Sequence, residues 1–400
     1  MLTTFYPPYS FGGDAIFVRN LSRELVARGH EVHVIHCLDS YRTLGGVPHE
    51  PDHAAAGVVV HALESRAGVL SPFVTHQTGR PLFKAQRIRE ILEQRFDVIH
   101  FHNVSLIGGP KLLEYGSGIK LYTFHEYWLM CQTHLLFRFN RAPCETRRCN
   151  LCALMHGRPP QWWRASGLIE RAVRHVDSFL SPSRFAMATH LRHGLDIPIV
   201  HLPSFVPDIE RLSAAPPSSA PYFLYVGRLE HVKGAHTLID PFLRWGKVPL
   251  KIAGTGSEEN ALRRLAGRSD RIQFVGHTTG DALRRLYAGA TAVIVPSLCF
   301  EISPLVILEA FREATPVIVR DRGALPEAVA DSGGGLVYGN DAELTAALEK
   351  LASDTNFRDA LGRRGLDRYR VEWTADVHME RYLALIEELR EKRVRAPMTT

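Results

Sequence analysis

The sequence predicts an α/β protein built as two doubly wound domains. Three observations carry this. Strand-like and helix-like segments alternate from end to end, which argues for parallel sheets covered by helices on both faces. The chain has 400 residues, enough for two cores. Near the middle, the Pro-, Ser- and Ala-rich run from Leu212 to Pro221 has the composition of a linker. The boundary is therefore placed near residue 210, with a first domain over 1–210 and a second over 211–400.

The elements follow in order. Glu31–Cys37, Gly57–His61, Asp97–His102 and Ile119–Phe124 read as strands of the first domain, each a short apolar run. Ala15–Arg28 is an amphipathic helix with Gly29 as its stop, and Leu82–Arg95 is another. In the second domain Tyr222–Val226, Leu250–Ala253, Ile272–Val275, Thr291–Val295 and Pro316–Val319 read as strands. Helices at Asp281–Ala288 and Ala342–Ala352 separate some of them. A last helix, about Thr374–Lys392, is assigned to the end of the second domain, with docking on a core as the alternative.

Composition excludes several classes. The net charge of +6 is a mild excess. It fits an anionic substrate or an anionic membrane surface and does not point to nucleic acid. No run of 18 apolar residues suggests a spanning helix. The first residues lack the basic and apolar regions of a signal peptide, so a cytoplasmic location is expected. Six cysteines, four of them clustered, do not form a secreted disulfide framework.

The chemistry concentrates at Phe300 to Ala310. Glu301 and Glu309 lie eight positions apart, with a helix start between them. Ser303 suits the N-cap, Pro304 the first helical position, and Leu305 follows. The preceding Thr291–Pro296 run is a buried strand. A helix N-terminus at the carboxyl end of a parallel strand is a ready anion site, because its first amides lack intrahelical partners. A diphosphate fits those amides, and a carboxylate on each side can hold sugar hydroxyls. This is the pattern of a donor pocket for a nucleotide-activated sugar. Taken alone, either glutamate also reads as a solvated charge.

Other candidates lie at strand ends. Arg228 and Lys233 follow the Tyr222–Val226 strand and flank a turn at Gly234; guanidinium and ammonium groups suit phosphate oxygens. Lone basic residues there are otherwise surface charges. His125 ends an apolar strand, where a structural histidine is the bland alternative and Glu126 a secondary candidate. Gly12 and Gly13 precede the first helix, so they either make a turn or let backbone approach a phosphate. Gly254 and Gly256 read as a tight turn near a nucleotide.

At these residues the chain resembles glycosyltransferase family 4, retaining sugar transferases of GT-B fold, along nearly its whole length. The family pattern of a Glu, seven residues and a second Glu is met by Glu301 and Glu309, followed by Ala310 and Pro316–Val319. Further matches are Val226–Gly234, Pro7–Gly13 and Thr123–Glu126. The resemblance implies two Rossmann-like domains facing across a cleft, an acceptor-side first domain and a nucleotide-sugar-binding second domain. It implies that Arg228 and Lys233 meet the donor diphosphate, Glu301 the transferred sugar, Glu309 the ribose, and His125 the reacting carbon. Gly12 and Gly13 would admit first-domain backbone to the diphosphate. It implies no catalytic metal. Ala314 stands where the family usually has Gly, with little consequence expected. Ile302 stands where small or polar residues are common, so altered sugar specificity is expected. Family members usually carry a few more residues of first strand before Thr3, so either a truncated start or a short strand is expected.

Two features lie outside the family pattern. Cys131, Cys144, Cys149 and Cys152, in an insertion over about 128–160, end in a Cys-x-x-Cys spacing that suits a structural zinc site; four separate thiols are the alternative. From Arg138 to Arg174 eight arginines stand against Glu145 and Glu170, with Trp162–Trp163 among them. That segment is either a solvated face or a contact for an anionic lipid acceptor or the inner membrane face.

The expected reaction is glycosyl transfer from a nucleotide sugar to a glycan, lipid-linked or small-molecule acceptor. The rivals are an epimerase or phosphorylase of the same fold, and a non-catalytic sugar-nucleotide-binding subunit.

Overall fold

The computed structural model describes residues 1–46, 56–146, 148–209 and 220–395. The chain divides into two compact units. The first comprises Met1–Phe139, Cys144–Ser204 and Asp376–Thr400; the second comprises Asn140–Pro143 and Phe205–Ala375. Residues 212–219 of the expected linker lie outside the described residues, and the division falls at 204/205 rather than 210.

The second unit holds a six-stranded parallel sheet. Across it run Ile272–Gly276, Leu250–Ala253, Phe223–Val226, Ala292–Val295, Val317–Arg320 and Gly335–Tyr338. In chain order this is 3-2-1-4-5-6, the doubly wound Rossmann sequence. Side chains alternate between two cores because strand residues point to opposite faces. Phe223, Ile252, Ile294 and Ile318 pack with Phe242 and Leu348 on one side. Leu224, Val293, Val295 and Val317 pack with Ile307, Phe311 and Tyr369 on the other.

The first unit repeats this winding. Val32–Cys37 pairs with Val58–Leu63, and Val98–Phe101, Ile119–Thr123, Ser178–Ser181 and Ile199–His201 form a four-stranded parallel sheet. Leu2 bridges the two sets, pairing with both Ile35 and Phe101. Its amide donates to His100 O at 2.8 Å, and its carbonyl accepts from His102 N at 2.9 Å. The Leu2 segment is thus central, and the order is again 3-2-1 followed by 4 onward.

The last helix, Ala375–Arg395, differs from expectation: from Asp376 it belongs to the first unit. Its contacts explain this. Tyr382 Oη lies 3.0 Å from His100 Nδ1, and His378 Nδ1 lies 2.8 Å from Pro203 O. Arg393 donates to Asp177 at 2.7 Å and to the carbonyls of Ser117 and Gly118. An apolar stripe in sequence says that a helix docks, not on which core.

Candidate functional site

In an open α/β sheet, ligands bind beyond the carboxyl ends of the strands where the winding reverses. In the second unit that point lies between Phe223–Val226 and Ala292–Val295. The loop after the first of these carries Arg228 and Lys233; the loop after the other carries Ser297 and Glu301. Lys233 Nζ donates to Glu301 Oε1 at 2.7 Å, and Ser297 Oγ donates to the same oxygen at 2.7 Å. Burial pushes the Glu301 carboxyl up, but the Lys233 charge and these two bonds outweigh it and hold the group below its usual range. Burial alone would lower Lys233; the Glu301 carboxylate reverses this and raises it. The pair is therefore charged, with both recorded bonds on Oε1.

Close backbone approach sets this geometry. Gly234 has φ +75°, and a Cβ there would lie 2.2 Å from Pro296 O. Leu298 N donates to Val232 O at 2.9 Å, tying the Lys233 turn to the Glu301 loop. Gly254, with φ +139°, would place a Cβ 2.0 Å from Gly227 O. The glycine at 254 is thus explained by packing of adjacent loops. Gly256 is similar, against Leu229 O. Arg228 is half-exposed and donates to Glu230 at 2.7 Å.

The helix after Glu301 spans Leu305–Arg312. Its N-cap is Pro304, in extended conformation, one residue later than expected, and no side chain caps it. Ser303 therefore leaves the first amides uncapped, and Leu305 opens the helix. Glu309, one turn further, accepts from Tyr287 Oη at 2.6 Å. Burial raises its carboxyl above the ordinary range despite that bond and Arg312 nearby. Ile302 is buried, 5% exposed, so it packs inward and offers no surface to a sugar. Ala314 has φ +58°, in the left-handed region. Thr315 N donates to Ala310 O and Ala314 N to Phe311 O, which is a Schellman ending with alanine in the glycine position. That placement is strained, contrary to the expectation of little consequence.

The first unit has its own reversal point, between the Leu2 segment and Val98–Phe101. Gly12 is the N-cap of the helix Gly13–Ala27, with φ −162°, a conformation open to any residue. Asp14 in its first turn accepts from Asn103 Nδ2 at 3.4 Å. His125 follows the neighbouring strand, and its Nε2 lies 3.0 Å from His102 Nδ1. Phe17 packs at 5.3 Å from the His125 ring, and His100 at 4.0 Å from His102. Burial lowers His100 and His102 well below the usual histidine value, and it lowers His125 despite Asp14 and Glu126. The cluster is neutral at pH 7. Glu126 accepts from His134 instead, at 2.8 Å. Sequence reasoning passed over His102, Ser297 and Tyr287. The alternation His100-Phe101-His102 at a strand end was the available signal for the first.

Three of the four clustered cysteines have local hydrogen-bond partners. Among the described residues no three or more His, Cys, Asp or Glu side chains form a group that could hold a metal. Cys131 Sγ lies 3.3 Å from Thr133 Oγ1, Cys152 Sγ accepts from Phe139 N at 3.3 Å, and Cys144 Sγ donates to Thr146 O at 3.8 Å. Burial, then the neighbouring Cys131, Cys149 and Cys152, push the Cys144 thiol up. The arginine-rich run is also partly internal. Arg164 donates to the carbonyls of Trp128 and Leu129, and Trp163 Nε1 donates to His76 O at 2.8 Å.

The profile described as Glycosyltransferase Family 4 matches residues 11–210, and that described as Glycosyl transferases group 1 matches 208–368. The chain belongs to glycosyltransferase family 4. It is 25% identical to an uncharacterized glycosyltransferase of Methanocaldococcus jannaschii, over 90% of each chain. A sucrose-phosphate synthase from Thermosynechococcus elongatus has a similar structure, with TM-score 0.72, 19% identity and 98% of each chain covered. HepE of Anabaena, solved with UDP and glucose, matches with TM-score 0.66 and 15% identity over 96% of this chain and 98% of its own. The fold of this glycosyltransferase is GT-B.

Proposed function

We propose that this glycosyltransferase moves a sugar, with retention of anomeric configuration, from a nucleotide diphosphate sugar to the hydroxyl of a glycan, lipid-linked or small-molecule acceptor in the cytoplasm. The observation that carries this reading is the Lys233–Glu301 pair beside an uncapped helix start at the second unit's reversal point. The UDP and glucose held by HepE support it by likeness of fold. The six cysteines are free thiols, which fits a reducing compartment.

The chemical problem is negative charge building on the departing diphosphate. Lys233, Arg228 and the amides at Leu305 are fixed donors that favour that charge without reorganising. Glu301 directs Oε2 to a sugar hydroxyl while Oε1 stays on Lys233. Glu309, already bonded to Tyr287, takes the ribose hydroxyls. The bond from the sugar's anomeric carbon to the diphosphate breaks, and a bond from the acceptor oxygen forms on the same face. The acceptor proton passes to the departing phosphate oxygen.

His125 acts as a neutral hydrogen-bond donor in this scheme. His102 Nε2 is buried without a hydrogen-bond partner among the described residues. A bare acceptor costs less in that position than an orphaned N–H. His102 therefore carries its proton on Nδ1 and donates it to His125 Nε2. That leaves the His125 proton on Nδ1, for a sugar hydroxyl.

A thermal-shift series against nucleotide diphosphate sugars tests donor binding, since a ligand of the folded state raises Tm. The expected result is a rise for at least one donor that Lys233→Ala abolishes. Product analysis with an acceptor then gives the anomeric configuration. No shift with any donor, or an inverted product, overturns the proposal.

A further inference from the structure

The first unit carries an exposed apolar surface that the sugar-transfer reading does not use. In the helix Leu70–Thr78 and its N-cap, Val69, Leu70 and Phe73 are 60%, 58% and 52% exposed. They share one face by the i, i+3, i+4 spacing. The following turn adds Leu82 and Phe83, at 55% and 53%. The two pieces are adjacent, because Lys84 is buried beneath them, where it bonds Ser71 Oγ and faces Asp39 at 3.5 Å. Single exposed apolar residues are ordinary, but five large ones from one 15-residue stretch mark a contact surface.

Charge says what kind of surface it meets. Of the basic residues over 65–89, Lys84 is buried against Asp39 and Arg87 pairs with Glu90, which leaves Arg66, Arg80 and Arg89. Arg66 and Arg80 are exposed and enter no ion pair among the described residues. Apolar side chains rimmed by arginine suit a bilayer interface. Acyl boundaries take the hydrocarbon and anionic headgroups take the guanidinium groups. We infer that Val69, Leu70, Phe73, Leu82 and Phe83, with Arg66 and Arg80, dock this chain on an anionic phospholipid surface. This surface, over residues 66–83, is separate in sequence from the arginine-rich run of 138–174.

The test uses the full chain and vesicles of phosphatidylcholine alone or mixed with phosphatidylglycerol. The chain is expected to sediment with the mixed vesicles and not with phosphatidylcholine alone, and high salt is expected to release it. Phe73→Glu combined with Phe83→Glu should lower the partition at least tenfold. Arg66→Gln and Arg80→Gln should each lower it about fivefold, the change that ~1 kcal/mol per basic residue represents. Melting curves establish that the variants fold, and the arginine variants serve if the glutamate pair does not. Nucleotide-sugar thermal shifts in the same variants should be unchanged, which separates this inference from the donor reading. Failure of the parent chain to bind the mixed vesicles overturns it. So does binding that ignores every substitution, or a dimer in light scattering that the same substitutions dissolve.

Discussion

The two units share a winding order but treat charge in opposite ways at the point where it reverses. In the second unit Lys233 and Glu301 stay ionised, each holding the other in its charged form. In the first unit His100, His102 and His125 pack side by side in a cluster that burial keeps neutral. The lesson is that a Rossmann-like scaffold supplies the location of a site and leaves its electrostatics to a few loop residues. A charged pair suits a pyrophosphate; neutral N–H donors suit hydroxyls.

Acidification should separate the units most strongly. A buried histidine whose folded pKa lies below its unfolded value of ~6.5 binds a proton only in the unfolded state. Its stabilising effect is complete above that value and is lost as pH falls. His36, His190 and His378, all in the first unit, are lowered by burial to about 4, so the loss runs from about 6.5 down to about 4. Each costs up to ~1.4 kcal/mol per pH unit. Glu301 behaves otherwise. Its lowered carboxyl contributes fully above the unfolded value and fails only at pH below it. Hydrogen exchange is therefore expected to show the strand Ile119–Thr123 losing protection between pH 6.5 and 4 while Ala292–Val295 keeps it. Equal loss in both would break the comparison.

Glu301→Gln comes next. It removes the charge that Lys233 faces and the oxygen proposed for the sugar. A drop in kcat of about 10²–10³ is expected, the size seen when one preorganised electrostatic contact is lost. Full activity would return the pair to a structural role.

Glycine substitutions sharpen the contrast in backbone demand. Gly234→Ala drives a Cβ into Pro296 O and should cost about 2–3 kcal/mol in denaturant unfolding. Gly12→Ala meets only the Asp14 side chain, at 3.2 Å, and should change stability by less than about 0.5 kcal/mol. A similar cost at both positions would contradict the distinction.

His102→Phe tests the neutral cluster. It keeps the ring and deletes the bond to His125, so kcat should fall about tenfold, as loss of ~1.4 kcal/mol of orientation implies. His102→Asn, which can still donate to Nε2, should recover part of that rate. Imidazole ¹⁵N shifts should place the His125 proton on Nδ1 in the parent chain; a proton on Nε2 would sink the assignment. One expected effect is a gain. Ala314→Gly relieves a left-handed alanine and should add about 1 kcal/mol.

Much of this was legible in the chain. The expected strands lie within two residues of those observed, because each is a short apolar run bounded by turn residues. Ser178–Ser181, Ile199–His201 and Gly335–Tyr338 were not: serine dilutes the apolar signal of the first, and the other two are short, partly exposed edge strands. Glu301, Lys233 and His125 could be singled out at strand ends. Their partners could not, because the Lys233–Glu301 bond spans 68 residues and the His102–His125 bond spans 23. Spacing within the cysteine run suggested zinc; the local bonds of three of the sulfurs could not be read from that spacing.

The amino-acid order alone determined the alternation of elements, the two winding halves and the strand ends where chemistry gathers, since these follow from local periodicity. Folding decided which core the last helix joins, which arginines turn inward and which of two similar reversal points carries charge. Those outcomes depend on contacts between residues far apart in the chain, where burial and Coulomb attraction compete and only the three-dimensional distances select the winner.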